Sequence, residues 1–188
     1  LLLMSKSNRF PDGLANSSGM VGKHLMFNGN TGAGAEFEHE VNGYKGPPVT
    51  RIVLDTYDLH DKGFYGGGGF DFRYPFPPIL SALNAPPDTP QWGAEFKRTI
   101  RRLHTHTSHC WGHTSQLPVP TNTIELDPDV KDSWGLPAIR VTFKEHDSDM
   151  KMYKYMFDRG VELLNAAGAI RTWGGPPGDD PGQGFHML

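Results

Sequence analysis

The sequence predicts an α+β domain: a mostly antiparallel sheet backed by helices. Three observations carry that expectation. Segments 90–103 and 147–167 place apolar side chains at helical spacing. Segment 138–144 alternates with period two, Ile139, Val141 and Phe143 on one face and Arg140, Thr142 and Lys144 on the other. The elements run strand–helix–strand–strand–helix–strand with long connections, an order that suits an antiparallel sheet carrying helices on one face. No internal repeat is present.

Taken in order, Leu1 to Met4 read as the tail of a buried strand, and residues 5–13 as a polar turn closed by Pro11-Asp12-Gly13. Residues 14–27 form a compact run whose two glycines, Gly19 and Gly22, suggest tight backbone packing. Residues 28–48, rich in Gly and Asn, read as mostly irregular, and the β-branched run 49–59 as a strand. Residues 60–88 form a long insertion of Gly, Pro and aromatic residues, a length that in a loop usually marks function. The helix at 90–103 has Thr89 as its expected cap, Pro90 in its first turn, and Trp92, Phe96, Ile100 and Leu103 on one face. Residues 104–116, 121–126 and 138–144 read as strands. The helix at 147–167 is capped by Asp147 or Ser148, carries a stripe of Met150, Tyr153, Phe157, Val161 and Leu164, and meets Gly168 where a left-handed cap belongs. A short strand at 169–173 and a Gly/Pro/Asp loop at 174–184 lead to Phe185-His186.

Composition excludes several functions. With 18 basic and 21 acidic residues, net charge −3 and no basic block, nothing neutralises a phosphate backbone. The single cysteine, Cys110, excludes an intrachain disulfide framework and a cysteine-based zinc site. No run approaches the ~20 apolar residues of a spanning helix, and no charged segment precedes an apolar core as in a signal peptide. The apolar ends, Leu1 to Met4 and Phe185 to Leu188, read as those of an internal piece of a longer protein.

The loudest cluster of chemistry is His104-x-His106-x-x-His109-x-x-x-His113. Four imidazoles in ten residues suit zinc or copper. On a continuous strand, however, His104 and His106 share one face and His109 and His113 the other, which predicts no tightly bound metal. Asp127, Asp129 and Asp132 lack the closing glutamate of a calcium loop. Neither Gly66 to Gly69 nor Gly29 to Gly34 matches a phosphate-binding loop. Cys110 beside Trp111 reads as a packed thiol rather than a nucleophile.

Three stretches together resemble the glucose–methanol–choline (GMC) family of flavin oxidoreductases, with most similarity to the large subunits of its bacterial sugar and gluconate dehydrogenases. The first joins Leu1-Leu2-Leu3 to Pro11-Asp12-Gly13-Leu14-Ala15-Asn16-Ser17-Ser18-Gly19-Met20-Val21-Gly22-Lys23-His24-Leu25-Met26. The second runs from Gln116-Leu117-Pro118 through Asn122-Thr123-Ile124-Glu125-Leu126-Asp127-Pro128 to Ser133-Trp134-Gly135-Leu136-Pro137. The third is Gly184-Phe185-His186-Met187-Leu188, which in the family continues into Gly-Thr-x-Arg-Met-Gly and contains the catalytic histidine.

The resemblance implies a Rossmann-like FAD domain, largely missing from this chain, and a substrate domain built on an antiparallel sheet. Residues 1–48 would leave the FAD domain, 49–175 would form the substrate-binding domain, and 176–188 would hold a loop and the start of the histidine motif. It implies oxidation of a small alcohol or sugar CH–OH group by hydride transfer to FAD, the cofactor being bound mainly outside this chain. His186 would be the general base, since an imidazole with pKa near ~6.5 is unprotonated at neutral pH, and His113 and Gln116 would hydrogen-bond substrate hydroxyls. The second catalytic residue would lie further downstream, leaving the isolated chain inactive. A small subunit, a cytochrome acceptor and a periplasmic or membrane-associated location are implied in the same way. The alternative is a non-enzymatic binding module, metal-linked through His104 to His113.

Overall fold

The computed structural model describes residues 1–74 and 77–175. His186 lies outside the described residues. Five strands form one antiparallel sheet in the order β2-β3-β4-β1-β7, with β1 at Gly29–Glu36, β2 at Val49–Val53, β3 at Gly68–Arg73, β4 at Thr107–Thr114 and β7 at Arg171–Gly175. A separate ribbon pairs β5, Thr123–Lys131, with β6, Pro137–Thr142. The helices are α1 at Pro78–Leu83, α2 at Gly93–His106 and α3 at Asp147–Ala166. The architecture is the expected α+β class with an antiparallel sheet.

The core lies between the sheet and α3. Met152, Tyr153, Met156, Gly160 and Leu164 are the buried side of that helix. They pack on Ala33 and Ala35 of β1, Phe70 of β3 and Cys110 of β4. Complete burial of a side chain of this size contributes roughly 1.5–3 kcal/mol. Of the stripe expected from spacing, Tyr153 and Leu164 are buried, while Met150, Phe157 and Val161 are half-buried flanks. The helix is capped by His146, not Asp147 or Ser148: its Nδ1 accepts from the Ser148 N–H at 3.1 Å. It stops at Gly168, which adopts the left-handed φ of +92°.

Several expectations are overturned. The strands at 49–59, 104–116, 121–126 and 138–144 do not share one sheet, because β5 and β6 pair with each other and β5 bridges Lys23 through Thr123, not the main sheet. Alternation marks a two-faced strand but not its partner. Here the ribbon is tied down by its base, where Asn122 makes two hydrogen bonds to the Lys144 backbone at 2.9 and 3.0 Å. On its apolar face Ile139 and Val141 are exposed, while Phe143 packs edge-on against Phe27 with ring centroids 4.7 Å apart. Leu2–Met4 is a 3₁₀ turn rather than a strand. Helix α2 starts at Gly93, and neither Thr89 nor Pro90 caps it. It runs three residues past the expected end, so His104 and His106 are helical. It rests on α1 and the 3₁₀ turn Gly43–Lys45, and Arg102 ties it to Glu36 of β1 at 2.6 Å.

The largest departure is β1. Residues 29–36, expected to be irregular, run through the middle of the sheet, paired with β4 from Gly29↔Thr114 to Glu36↔Thr107 and with β7 from Gly32↔Gly175 to Glu36↔Arg171. Gly-Asn-Thr-Gly-Ala-Gly-Ala-Glu has little β propensity; the ladder on both sides and α3 beneath impose the strand. Gly34 has a specific reason to be there: a Cβ at this position would stand 2.4 Å from the Trp173 indole. The expected insertion 60–88 likewise contains β3 and α1.

Candidate functional site

The strands present their other side chains on the face opposite α3. Register places Asn30, Gly32, Gly34 and Glu36 of β1, His109, Trp111 and His113 of β4, Asp71 and Arg73 of β3, and Arg171 and Trp173 of β7 on this face. Among the described residues no helix packs over its middle. A cavity of about 540 Å³ opens there, floored by the β1 backbone around Gly32 and Gly34 and walled by Trp111, Trp173 and the segment after α1.

Two ion-pair groups frame the cavity. At one side Asp71 is nearly buried and accepts from Arg73 twice, at 2.6 Å to Oδ1 and 2.7 Å to Oδ2. His113 Nε2 lies 2.8 Å from the same Oδ2. Burial alone would raise the Asp71 carboxyl, but the hydrogen bonds from Arg73 and His113, with their charges, hold it below the usual carboxylate range. The Arg73 guanidinium also lies over the Trp111 ring, 5.4 Å from its centroid. At the far side buried Glu36 accepts from Arg102 at 2.6 Å and Arg171 at 2.8 Å, and Arg171 also holds Asp88 at 3.1 Å. The Trp173 indole N–H donates to the Asn84 carbonyl at 2.8 Å, fixing the ring over β1.

Between these groups His109 is buried, edge-on to Trp173 with ring centroids 6.0 Å apart. Burial pushes its imidazole down to about 4, so it is neutral at physiological pH. Asn30, also buried, gives its amide N–H to the Asn28 carbonyl at 3.0 Å, while its amide oxygen has no donor among the described residues.

The structure places His113 on this face, where it also lines a smaller hollow of about 310 Å³ shared with Gln116, Phe27 and Tyr57. Gln116 is already engaged. Its Oε1 accepts from the Phe27 N–H at 2.5 Å, and its Nε2 donates to Glu145 at 2.6 Å and to the Tyr153 hydroxyl at 3.3 Å. Burial raises the Glu145 carboxyl despite the bonds it accepts from Gln116 and, at 3.3 Å, from the Tyr153 hydroxyl.

The histidine cluster does not converge. His104 stacks on Tyr44 with centroids 4.7 Å apart and shares a hydrogen bond with Ser81 at 3.1 Å. His106 bonds Thr105 and the Arg102 carbonyl at 2.7 and 3.1 Å. Only His109 and His113 share the strand face, four residues apart, roughly 13 Å along an extended chain. Among the described residues no group of three or more His, Cys, Asp or Glu is placed to hold a metal. Cys110 points into the core, and burial with the neighbouring Asp71 charge pushes its thiol up to about 12.

Sequence reasoning misses Asp71, Arg73, Trp111 and Trp173 as site residues and reaches His109 only as a member of the histidine cluster. The alternation Phe70-Asp71-Phe72-Arg73 was the available signal, since period two puts the apolar pair on the core and the charged pair opposite. The described residues do not fit a dinucleotide cradle. The Gly29 to Gly34 segment is a sheet-centre strand, Gly66 to Gly69 leads into β3, and the face's arginines, Arg73 and Arg171, already have carboxylate partners.

The chain is similar to three curated dehydrogenases. It is 33% identical over 193 residues to the 2-methyl-1,2-propanediol dehydrogenase of Mycolicibacterium austroafricanum, covering 100% of this chain and 35% of that protein. It is 26% identical to the gluconate 2-dehydrogenase flavoprotein of Pantoea cypripedii, covering 90% of this chain and 28% of the relative. It is 25% identical to the fructose dehydrogenase large subunit of Gluconobacter japonicus, covering 89% and 31%. The chain thus spans about a third of the length of the relatives it matches. No family model matches it.

Proposed function

We propose that this chain is the substrate-facing part of an FAD-dependent dehydrogenase of the GMC type, which oxidises an alcohol or sugar CH–OH group to a carbonyl. The supporting observation is the sheet face that no described helix covers, lined by aromatic and hydrogen-bonding side chains, in a chain similar to three proteins named dehydrogenases, one of them a flavoprotein. In this reading the sheet face forms a wall of the reaction chamber. FAD, held by parts of the protein other than the described residues, supplies the hydride acceptor.

The chain's own residues bind and orient. With its Nε2 held 2.8 Å from Asp71 Oδ2 and 3.0 Å from the Arg73 guanidinium, His113 is fixed in orientation and keeps its Nδ1 for a substrate hydroxyl. Arg73 neutralises Asp71, so the imidazole is aimed without placing a free anion in the chamber. Gln116 acts at one remove: it fastens the Phe27 backbone, Glu145 just before α3, and Tyr153 of α3 beneath the His113 hollow. Trp111 and Trp173 exclude water from the reacting carbon. His186 is assigned the base that takes the hydroxyl proton. A small subunit and a cytochrome acceptor belong to the same proposal, supported by the relative named a large subunit.

The test is steady-state kinetics of the full-length protein with His113→Ala. We expect kcat/KM for the alcohol to fall at least ~10-fold with flavin content unchanged, the usual scale for losing a polar contact that orients a reacting group. Kinetics equal to wild type would remove this face from the site.

A further inference from the structure

The chemistry of the cavity narrows the ligand beyond an alcohol or sugar. None of the described residues that line it is Asp, Glu, Lys or Arg. The nearest cations on the same face, Arg73 and Arg171, are committed to Asp71 and to Glu36 with Asp88. A carboxylate entering here would give up its water for no opposing charge, a cost a neutral molecule does not bear.

The polar groups that are available form a donor–acceptor set. His109 is 9% exposed, and no hydrogen-bond partner takes up its imidazole among the described residues. A neutral imidazole offers one N–H donor and one lone pair. A hydroxyl likewise donates once and accepts, so the two complement each other; a carboxylate only accepts. Asn30 contributes a second unsatisfied acceptor, its amide oxygen. The walls are two indoles, and at Gly32 the floor is bare backbone, where an added Cβ would find no heavy atom closer than 3.8 Å. Indole faces and flat backbone suit the C–H surface of a compact diol or sugar ring.

We propose that this cavity selects an uncharged polyol over a sugar acid, with His109 as the residue that binds a substrate hydroxyl and Trp111 and Trp173 as the walls against its C–H face. The proposal rests on the dehydrogenase reading only in calling the ligand a substrate; binding itself is measured without turnover.

The experiment titrates the intact protein with 2-methyl-1,2-propanediol and, separately, with gluconate, following tryptophan fluorescence and calorimetric heat, with flavin reduction recorded in parallel. The expected result is saturable binding of the diol with gluconate at least ~10-fold weaker, one good hydrogen bond being worth about a decade in affinity. His109→Leu should weaken the diol by a similar factor, and His109→Gln, which keeps a donor and an acceptor, should recover part of it. Ala85→Lys, which adds a cation at the cavity wall, should shift the preference toward gluconate without requiring any loss of fold. Gluconate binding as tightly as the diol, or His109→Leu binding the diol like wild type, would overturn the proposal. Diol binding without flavin reduction would leave it standing and remove the dehydrogenase reading; flavin reduction by gluconate alone would do the reverse.

Discussion

His109 and Cys110 are neighbours in sequence and belong to opposite sides of the sheet, one facing the cavity and the other the core. Burial keeps both uncharged, His109 at about 4 and Cys110 at about 12. Cys110 should therefore be inert to a thiol reagent at neutral pH in the native protein and react only as the protein unfolds; fast native labelling would contradict its placement. The His109 shift also couples to stability. Its folded value lies below the unfolded ~6.5, so its contribution is fully present above that pH and is lost as pH falls toward about 4. The loss is at most about 3 kcal/mol. Denaturant midpoints of wild type and His109→Leu between these pH values should show the steeper decline in wild type; identical pH profiles would refute the burial. Gln116→Leu should destabilise the protein by roughly 1–3 kcal/mol, because Glu145 and Tyr153 lose a buried partner, and an unchanged midpoint would mean that network is not formed. The histidine spacing was legible in the sequence, but its meaning was not. A helix end between His106 and Thr107 decides which imidazoles share a face, and no cap residue marks it.

Element α3 was legible almost residue for residue, because a long apolar stripe and a closing glycine are local signals. The hydrophobic stripe was read slightly rotated, since the helix buries the small Gly160 against Cys110 and Phe70 where spacing favoured larger residues. Strand β1 was illegible for the opposite reason: its conformation comes from neighbours distant in sequence. Its glycine at 34 makes that dependence testable. Gly34→Val would drive a side chain into the Trp173 indole, which is anchored through Asn84. We expect a destabilisation of roughly 1–3 kcal/mol, the usual cost of overpacking, together with a change in tryptophan emission as the ring leaves the β1 surface. An unchanged spectrum and midpoint would show that Trp173 does not lie there. The β5–β6 ribbon carries the clearest alternation in the chain, yet that pattern gave no hint of whether its partner was the main sheet or its own hairpin.

At the scale of the whole molecule, the described residues form a sheet covered by α3 on one face and open at the middle of the other, which in the proposed function is one wall of a chamber. The fold class was legible from the order of elements, and a likeness to dehydrogenases from three short stretches. The uncovered face was not, because it depends on how β1 and β7 close the sheet around His109 and Trp111. The central claim is that this face meets an alcohol while a flavin accepts its hydride. Anaerobic stopped-flow mixing of the full-length protein with the alcohol, following the flavin's visible absorbance, tests it most directly. The account predicts bleaching by the alcohol in wild type, slowed by ~10²–10⁴-fold in His186→Ala with the flavin still bound, the usual range for loss of a general base. A full-length protein that carries no flavin, or a His186→Ala variant that bleaches at the wild-type rate, would contradict it.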